Sequence, residues 1–368
     1  MGHPARLKRK LILLTWIALA GGLAGLSYVT SLASVGVFPF NLGMVQSGVL
    51  NGATITTLIG LLEMMIWHAP YGAPLRRLPF LARLAIKTTA YTVVIVGTLT
   101  LFNAWLLAES TGVEDPWVYI RDYLPMDALV SFKVALIIHF VVQTRLMIGG
   151  RVLTNIVLGR YARPRQENRM FLFVDLADSS MIARCLGDIE THALISRVFF
   201  DLDGVISAHG GEVHRYVGDQ VVITWPLDAA IRDGRCLHCA LEIHALLERR
   251  ALWYRRRHGI APRVRAGLYG GPVAAGECGD SKLEIVYFGE TVNMAARLEQ
   301  AAKTLDRWLL MPSDLADQMP AALPGWTRVD LGPVPLKGHE LPVTLTCFEP
   351  VALDSSGASA KKTPSRAA

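Results

Sequence analysis

The sequence predicts two parts: an N-terminal domain of four transmembrane helices and an α+β cytoplasmic domain with a mostly antiparallel sheet. Three observations predict this. Hydrophobic residues make up 52% of the 368, and their excess lies in the first 150. Beyond residue 170, short apolar strands alternate with amphipathic helical stretches. Between the two runs a charged, proline-containing stretch. The boundaries read as a membrane domain at 1–148, a helical connector at 149–169, a folded domain at 170–350 and a disordered tail at 351–368.

Four apolar stretches, 11–34, 45–68, 84–107 and 127–148, are each long enough to cross ~30 Å of hydrocarbon as a helix. The first is too long for a signal peptide and no small-residue cleavage pattern follows it. Positive charge orients them. Arg6, Lys8, Arg9 and Lys10 precede the first span, Arg76, Arg77 and Arg83 separate the second from the third, and Arg145 and Arg151 flank the end of the fourth. The loop between the third and fourth carries Glu109, Glu114, Asp115 and Asp122 against Arg121. A multi-pass protein of the inner (plasma) membrane, with both termini and the folded domain in the cytoplasm, satisfies all of these. Glu63, Lys87, Lys133 and His139 fall in or near spans. The expectation is that both lysines snorkel to the surface and Glu63 sits near an interface. Four spans lack the paired broken helices of a transporter. In the connector, Val152, Ile156 and Leu158 give a short helical stripe before Pro164, long enough for a brief coiled coil or an ordinary linker.

In the folded domain Phe171–Val174 reads as a buried strand, and 180–208 as one helix stopped by Gly210-Gly211. Residues 213–217 and 221–225 form a hairpin turning at Gly218-Asp219. A helix at 230–252 follows, then a strand at 263–269, a Gly-rich loop, a hairpin arm at 283–288 and a helix at 291–303. Net charge is +6, but the basic residues are scattered and partly placed at membrane edges, so nucleic acid is not an expected partner. The cysteines at 185, 236, 239, 278 and 347 all lie in the folded part, which fits a reducing cytoplasm. Cys236 and Cys239 form a CxxC without a second ligand pair, so they read as core thiols on a helix.

The chemistry concentrates at a few positions. Asp175 ends the first strand and Asp219 tips the hairpin. Adjacent strands can bring such carboxylates together, where they repel unless a cation lies between them. Magnesium takes few protein oxygens plus substrate phosphates, which suits two aspartates holding a nucleotide triphosphate. The backbone of Leu176, Ala177, Asp178, Ser179 and Ser180, at a helix start, offers N–H groups to phosphates. Asn293 and Arg297 stand four apart on one helical face and can stabilise a reacting phosphorus. Lys337, in LKGHE, can reach a terminal phosphate.

The segments FVDLADSS, GGEVHRYVGDQVVITW, VRAGLYGGPVAAGECG, FGETVNMAARLE and LKG, in this order, resemble the class III adenylate and guanylate cyclase catalytic domain over about residues 168–350. The layout as a whole resembles bacterial membrane-anchored adenylate cyclases. The resemblance implies a ferredoxin-like sandwich that works as a homodimer with its sites at the interface. Asp175 and Asp219 match the metal ligands, for two Mg2+ or Mn2+ per site. Asn293 and Arg297 match the transition-state pair of the facing subunit, and Lys337 matches the phosphate lysine. The implied reaction is attack of the ribose 3′ hydroxyl on the α-phosphorus of ATP, giving cyclic AMP and pyrophosphate. At the two base-reading positions the chain departs from the family, with Arg215 for a lysine and Val286 for an aspartate or threonine. Guanylate cyclase activity, or a catalytically silent nucleotide-binding membrane sensor, are the alternatives.

Overall fold

The structure, a computed structural model, describes residues 4–34, 42–63, 78–110, single residues and pairs between 121 and 140, 159–280, 283–319 and 323–351. The chain divides into two compact units, Met1–Thr154 and Asn155–Ala368.

The first unit holds helices α1 (Pro4–Ser34), α2 (Leu42–Leu62) and α3 (Phe80–Ser110). Each contains a window long and apolar enough to cross a membrane: Leu14–Ser31, Val45–Leu62 and Phe80–Leu101. Three such helices, rather than the four expected, stand among the described residues. The expected fourth span, 127–148, lies mostly outside them, although its described positions 128, 129, 132, 133, 136 and 140 are helical. The connector stretch 149–158 is also outside.

Glycines bring α1 and α2 together. A Cβ added at Gly25 would strike the Gly48 carbonyl, and one at Gly52 the Gly21 carbonyl. Gly21/Gly25 and Gly48/Gly52 each stand four apart, so the small positions line one face of each helix and let the backbones touch. Apolar lipid gives two helices little hydrophobic reason to associate, so this close van der Waals packing carries their contact.

The expectation for Lys87 is overturned. It is 8% exposed, and its Nζ lies 2.8 Å from Glu63 Oε1, which also accepts from Tyr91 Oη at 2.6 Å. A charge in an apolar bundle is held by an opposite charge when it lies too deep to reach water. Lys133 is exposed, as a snorkelling lysine would be, and His139 lies outside the described residues.

The second unit is an α+β layer structure. Its strands are β1 (Arg165–Leu176), β2 (Glu212–Val217), β3 (Gln220–Pro226), β4 (Val264–Cys278), β5 (Glu284–Phe288), β6 (Leu309–Pro312), β7 (Trp326–Val334) and β8 (Val343–Pro350). They follow the order β2-β3-β1-β4-β6-β8-β7, with β5 on β4. All pairings are antiparallel except β4–β6, so the sheet is mixed. The helices are α4 (Ser179–Leu186), α5 (Asp188–Ala208), α6 (Leu227–Arg232), α7 (Arg235–His258), α8 (Glu290–Thr304) and α9 (Ser313–Asp317).

Several expected boundaries shift for local reasons. The single helix at 180–208 divides at Gly187, whose φ of 77° breaks helical geometry. The helix at 230–252 divides at Gly234, again at positive φ. Gly270 and Gly271 do not form a loop. They sit inside β4, where side chains of Met170, Leu227 and Thr291 fill the space a Cβ would need. Residues 165–169, assigned to the connector, are the first residues of β1.

Strand alternation gives the sheet two faces. Met170, Leu172, Val174 and Leu176 of β1, with Val264, Ala266 and Leu268 of β4, face the core built by α4, α5 and α7. Cys236 and Cys239 belong to that core and are fully buried, and burial pushes the Cys236 thiol up to about 12. On the other face α8 lies against β6 and β8 through Met294, Leu298, Ala302, Leu310, Leu345 and Cys347. Gly267 of β4 sets how close α8 comes. A Cβ there would strike the Ala295 carbonyl and the Glu299 amide.

Replacing Gly267 by Ala is therefore expected to destabilise the domain by about 1–3 kcal/mol, because backbone must move. Gly204→Ala in α5, where nothing lies within 4 Å of the added Cβ, is the control and should be neutral or slightly stabilising. Thermal melts of the two variants against the parent check both, and equal melting temperatures for all three would refute the close approach.

Candidate active site

The odd-numbered residues of β1 face α8, and Asp175 is among the last of them. It pairs across the sheet with Gln220 of β3 on one side and Arg265 of β4 on the other. Asp219 occupies the β2–β3 turn with Gly218, whose φ is 61°. The turn is sewn to the end of β1 by the Leu176 amide, which donates to the Asp219 carbonyl at 3.3 Å. The two acids that the sequence singled out are thus neighbours. Electrostatics registers the proximity: burial, and then the charge of Asp219, push the Asp175 carboxyl up to about 6 against the pull of Arg265 and Lys303.

A third carboxylate, which sequence reasoning did not select, faces this pair. Glu299 of α8 is 7% exposed. Burial, then Asp175, push it up to about 7, with Asp219 adding to the effect and Arg265 and Lys303 opposing it. Its Oε2 lies 3.5 Å from Gln220 Nε2. Both missed groups stood inside motifs already noted, Glu299 in FGETVNMAARLE and Arg265 in VRAGLYGG. Only the register of β4 and the face of α8 reveal that they converge on the aspartates.

The phosphate cradle is narrower than expected. The Leu176 and Ala177 amides donate to the backbone carbonyls of Asp219 and Arg263, and both residues are buried. Asp178, Ser179 and Ser180 remain at the start of α4. Asp178 adopts φ 60°, and its carboxylate turns away from the helix to meet Arg263 at 3.2 Å and Arg265 at 3.4 Å. It makes no side-chain cap, so the helix start is left to other acceptors.

Asn293 and Arg297 lie on α8 as expected, Asn293 exposed and Arg297 half-buried. Arg297 Nη1 is 2.6 Å from Glu290 Oε1. Its guanidinium also lies against Gly338, where an added Cβ would come within 3.3 Å of Nη2. The turn carrying exposed Lys337 therefore abuts Arg297. At about 100° per residue, Arg297 and Asn293 point well away from Glu299 around α8. The helix that turns Glu299 toward Asp175 and Asp219 turns Asn293 and Arg297 from them.

Arg215 of β2 lies 3.0 Å from Glu284 Oε2 of β5, two residues before half-buried Val286. Glu284 thus sets a carboxylate beside Arg215, and sequence spacing gave no sign of it. Next to Arg215, burial holds His214 down at about 4, so its imidazole is neutral near pH 7.

Comparison with known proteins bears on this geometry. Residues 162–309 match the model of the adenylate and guanylate cyclase catalytic domain. Adenylate cyclase 2 of Rhizobium meliloti (strain 1021) is 37% identical over 222 residues, covering 60% of this chain and 61% of that protein. Adenylate cyclase 1 of the same organism is 31% identical over 135 residues, covering 35% and 20%. This chain thus spans less than two thirds of either relative. The structure of a bacterial light-regulated adenylyl cyclase shares the fold with a TM-score of 0.50 at 23% identity, over 61% of this chain and 63% of that one.

Asp175 yields a pH prediction. Its carboxyl titrates near 6 in the fold against 3.8 ordinarily. The native state holds a proton that the unfolded chain has lost, so stability falls as pH rises through that window. With chelator present, Asp175→Asn should raise the melting temperature by a few degrees at pH 8, and the gain should vanish toward pH 4. A gain equal at both pH values would show that the Asp175 carboxyl is not held above its ordinary range.

Proposed function

We propose that this chain, whose residues 162–309 match the adenylate and guanylate cyclase catalytic domain, converts ATP to cyclic AMP and pyrophosphate. The observation that carries the proposal is the adjacency of Asp175 and Asp219, with Asp175 pushed up by burial and then by its neighbour's charge. Such a pair fits a divalent cation, because the cation removes the repulsion that the fold otherwise bears. Asp175 and Asp219 would hold Mg2+ or Mn2+, two per site. The bound metal would neutralise charge on the triphosphate and on the ribose 3′ oxygen, whose proton passes to solvent water.

The chain's own groups bind and orient. Backbone amides at Asp178, Ser179 and Ser180 face the triphosphate. Lys337 adds a positive charge to the leaving pyrophosphate. The Asn293 amide and Arg297 guanidinium donate to oxygens of the α-phosphorus, where charge builds as the 3′ O–P bond forms and the bond to the β-phosphate oxygen breaks. Arg215 donates to the purine edge and Glu284 accepts from it, a combination that adenine's ring nitrogen and amino group match.

A homodimer supplies what one chain lacks. Asn293 and Arg297 point away from the same chain's aspartates, which favours a site whose acids come from one subunit and whose Asn293 and Arg297 come from the other. The three apolar helices favour anchorage in a lipid bilayer. The arginine and lysine pattern of the loops favours the inner (plasma) membrane with both termini cytoplasmic, on the side where ATP is found.

The test is incubation of the purified full-length chain with Mg2+ or Mn2+ and ATP or GTP, and identification of the product. Cyclic AMP supports the proposal, cyclic GMP alone replaces the substrate, and no cyclic product from either refutes it. Arg297→Ala is expected to lower kcat by roughly 10²- to 10³-fold. Asp175→Ala and Asn293→Ala proteins should each be inactive, and their mixture should recover about a quarter of the parental rate, the yield of random pairing in a two-fold dimer. A mixture as inactive as its components would exclude shared sites.

A further inference from the structure

We propose that Glu299 is a positioning residue, one that fixes the Asp219 turn to the helix bearing Asn293 and Arg297. This rests on the reading of Asp175 and Asp219 as metal ligands.

Three observations support it. Glu299 is buried, with 7% of its surface exposed, and a carboxylate is rarely buried unless partners hold it. Its Oε2 accepts from Gln220 Nε2 at 3.5 Å, and Gln220 both follows Asp219 in the chain and pairs with Asp175 across β1–β3. The base of Glu299 is itself fixed, because its backbone amide lies where a side chain on Gly267 would be. The contact therefore runs from a rigid helix–sheet seam to a residue that touches both aspartates. The β2–β3 turn has few other restraints of this kind. Val217 is 52% exposed, and the Leu176 amide ties only the backbone of Asp219.

The contact also has a direction. α8 carries Glu299 on the face toward its own chain's acids and Asn293 and Arg297 on the other. In a dimer with shared sites, the acids of one chain serve one site and its Asn293 and Arg297 serve the second. Glu299 and Gln220 then join the metal-holding half of one site to the phosphorus-holding half of the other.

The experiment measures Mn2+ binding by calorimetry to the full-length chain in detergent, with 3′-deoxy-ATP, which cannot cyclise, bound, beside a thermal melt of each variant. Glu299→Ala is expected to weaken Mn2+ binding about tenfold. Gln220→Ala should do the same, and the double variant should be no weaker than either single one. Glu299→Gln keeps an oxygen to accept from Gln220 and should stay within about twofold of the parent. Parental affinity in Glu299→Ala would overturn the proposal. So would an equal loss in Glu299→Gln, which would make charge rather than the link the cause. If Glu299→Ala fails to fold, Gln220→Ala decides, and parental affinity there overturns the proposal. A parent chain that binds no Mn2+ would remove the metal-ligand reading and this inference with it. A parent that binds Mn2+ normally, beside unaffected variants, would remove this inference alone.

Discussion

Two negative charges held side by side are the constraint on which the rest of this domain turns. Asp175 ends a strand that is otherwise apolar, and Asp219 is brought against it by a two-residue turn whose glycine takes a left-handed conformation. The Asp175 position is unfavourable for a carboxylate. Burial and mutual repulsion push Asp175 up to about 6. A fold keeps such an arrangement only where surrounding structure over-determines it. Here the surroundings are the ladder of β1 with β3 and β4, the Leu176 amide on the Asp219 carbonyl, and the cations Arg265 and Lys303 set against the acids.

Glycine placement lets that ladder meet α8. Gly267 removes a side chain that would hold α8 off the sheet, and the helix settles with Glu299 over the aspartates. The same physical device recurs in the apolar unit, where Gly21, Gly25, Gly48 and Gly52 let α1 and α2 touch. In both places the absent Cβ allows close backbone packing. In the first this aims a functional face, and in the second it supplies contact energy that lipid does not.

The elements legible in the sequence were those with local causes. The hairpin over 212–226 was readable because alternation and a Gly-Asp turn are both short-range signals. Asp175, Asp219, Asn293 and Arg297 were legible as candidates because local motifs place them at a strand end, in a hairpin turn and on one helix. Glu299, Arg265 and Glu284 were not, because each acquires its role across the fold: Glu299 by the rotation of α8, Arg265 by register opposite Asp175, Glu284 by reaching Arg215 over 69 residues. The glycines misread as a loop at 270–271 show the same limit, since their purpose is to accept side chains from elsewhere. Strands β6 to β8 went unassigned, being short or interrupted by glycine and proline. Lys87 was expected at the surface because the sequence does not reveal that Glu63, 24 residues away and itself bonded to Tyr91, meets it.

Helix geometry carries the argument for a second copy further than any surface feature does. On α8 the residue pointing at the acids and the residues able to hold a phosphorus are separated by two and six positions, which places them on different sides. No rotation of the helix about its axis brings all three to Asp175 and Asp219 together. The helix already meets the sheet backbone at Gly267, and the Met294, Leu298 and Ala302 stripe blocks rolling, which would expose buried apolar side chains. If Asn293 and Arg297 act on a phosphorus bound at aspartates of this kind, those aspartates must belong to another subunit. The free monomer then has two half-sites facing different ways, and association of two chains completes both at once.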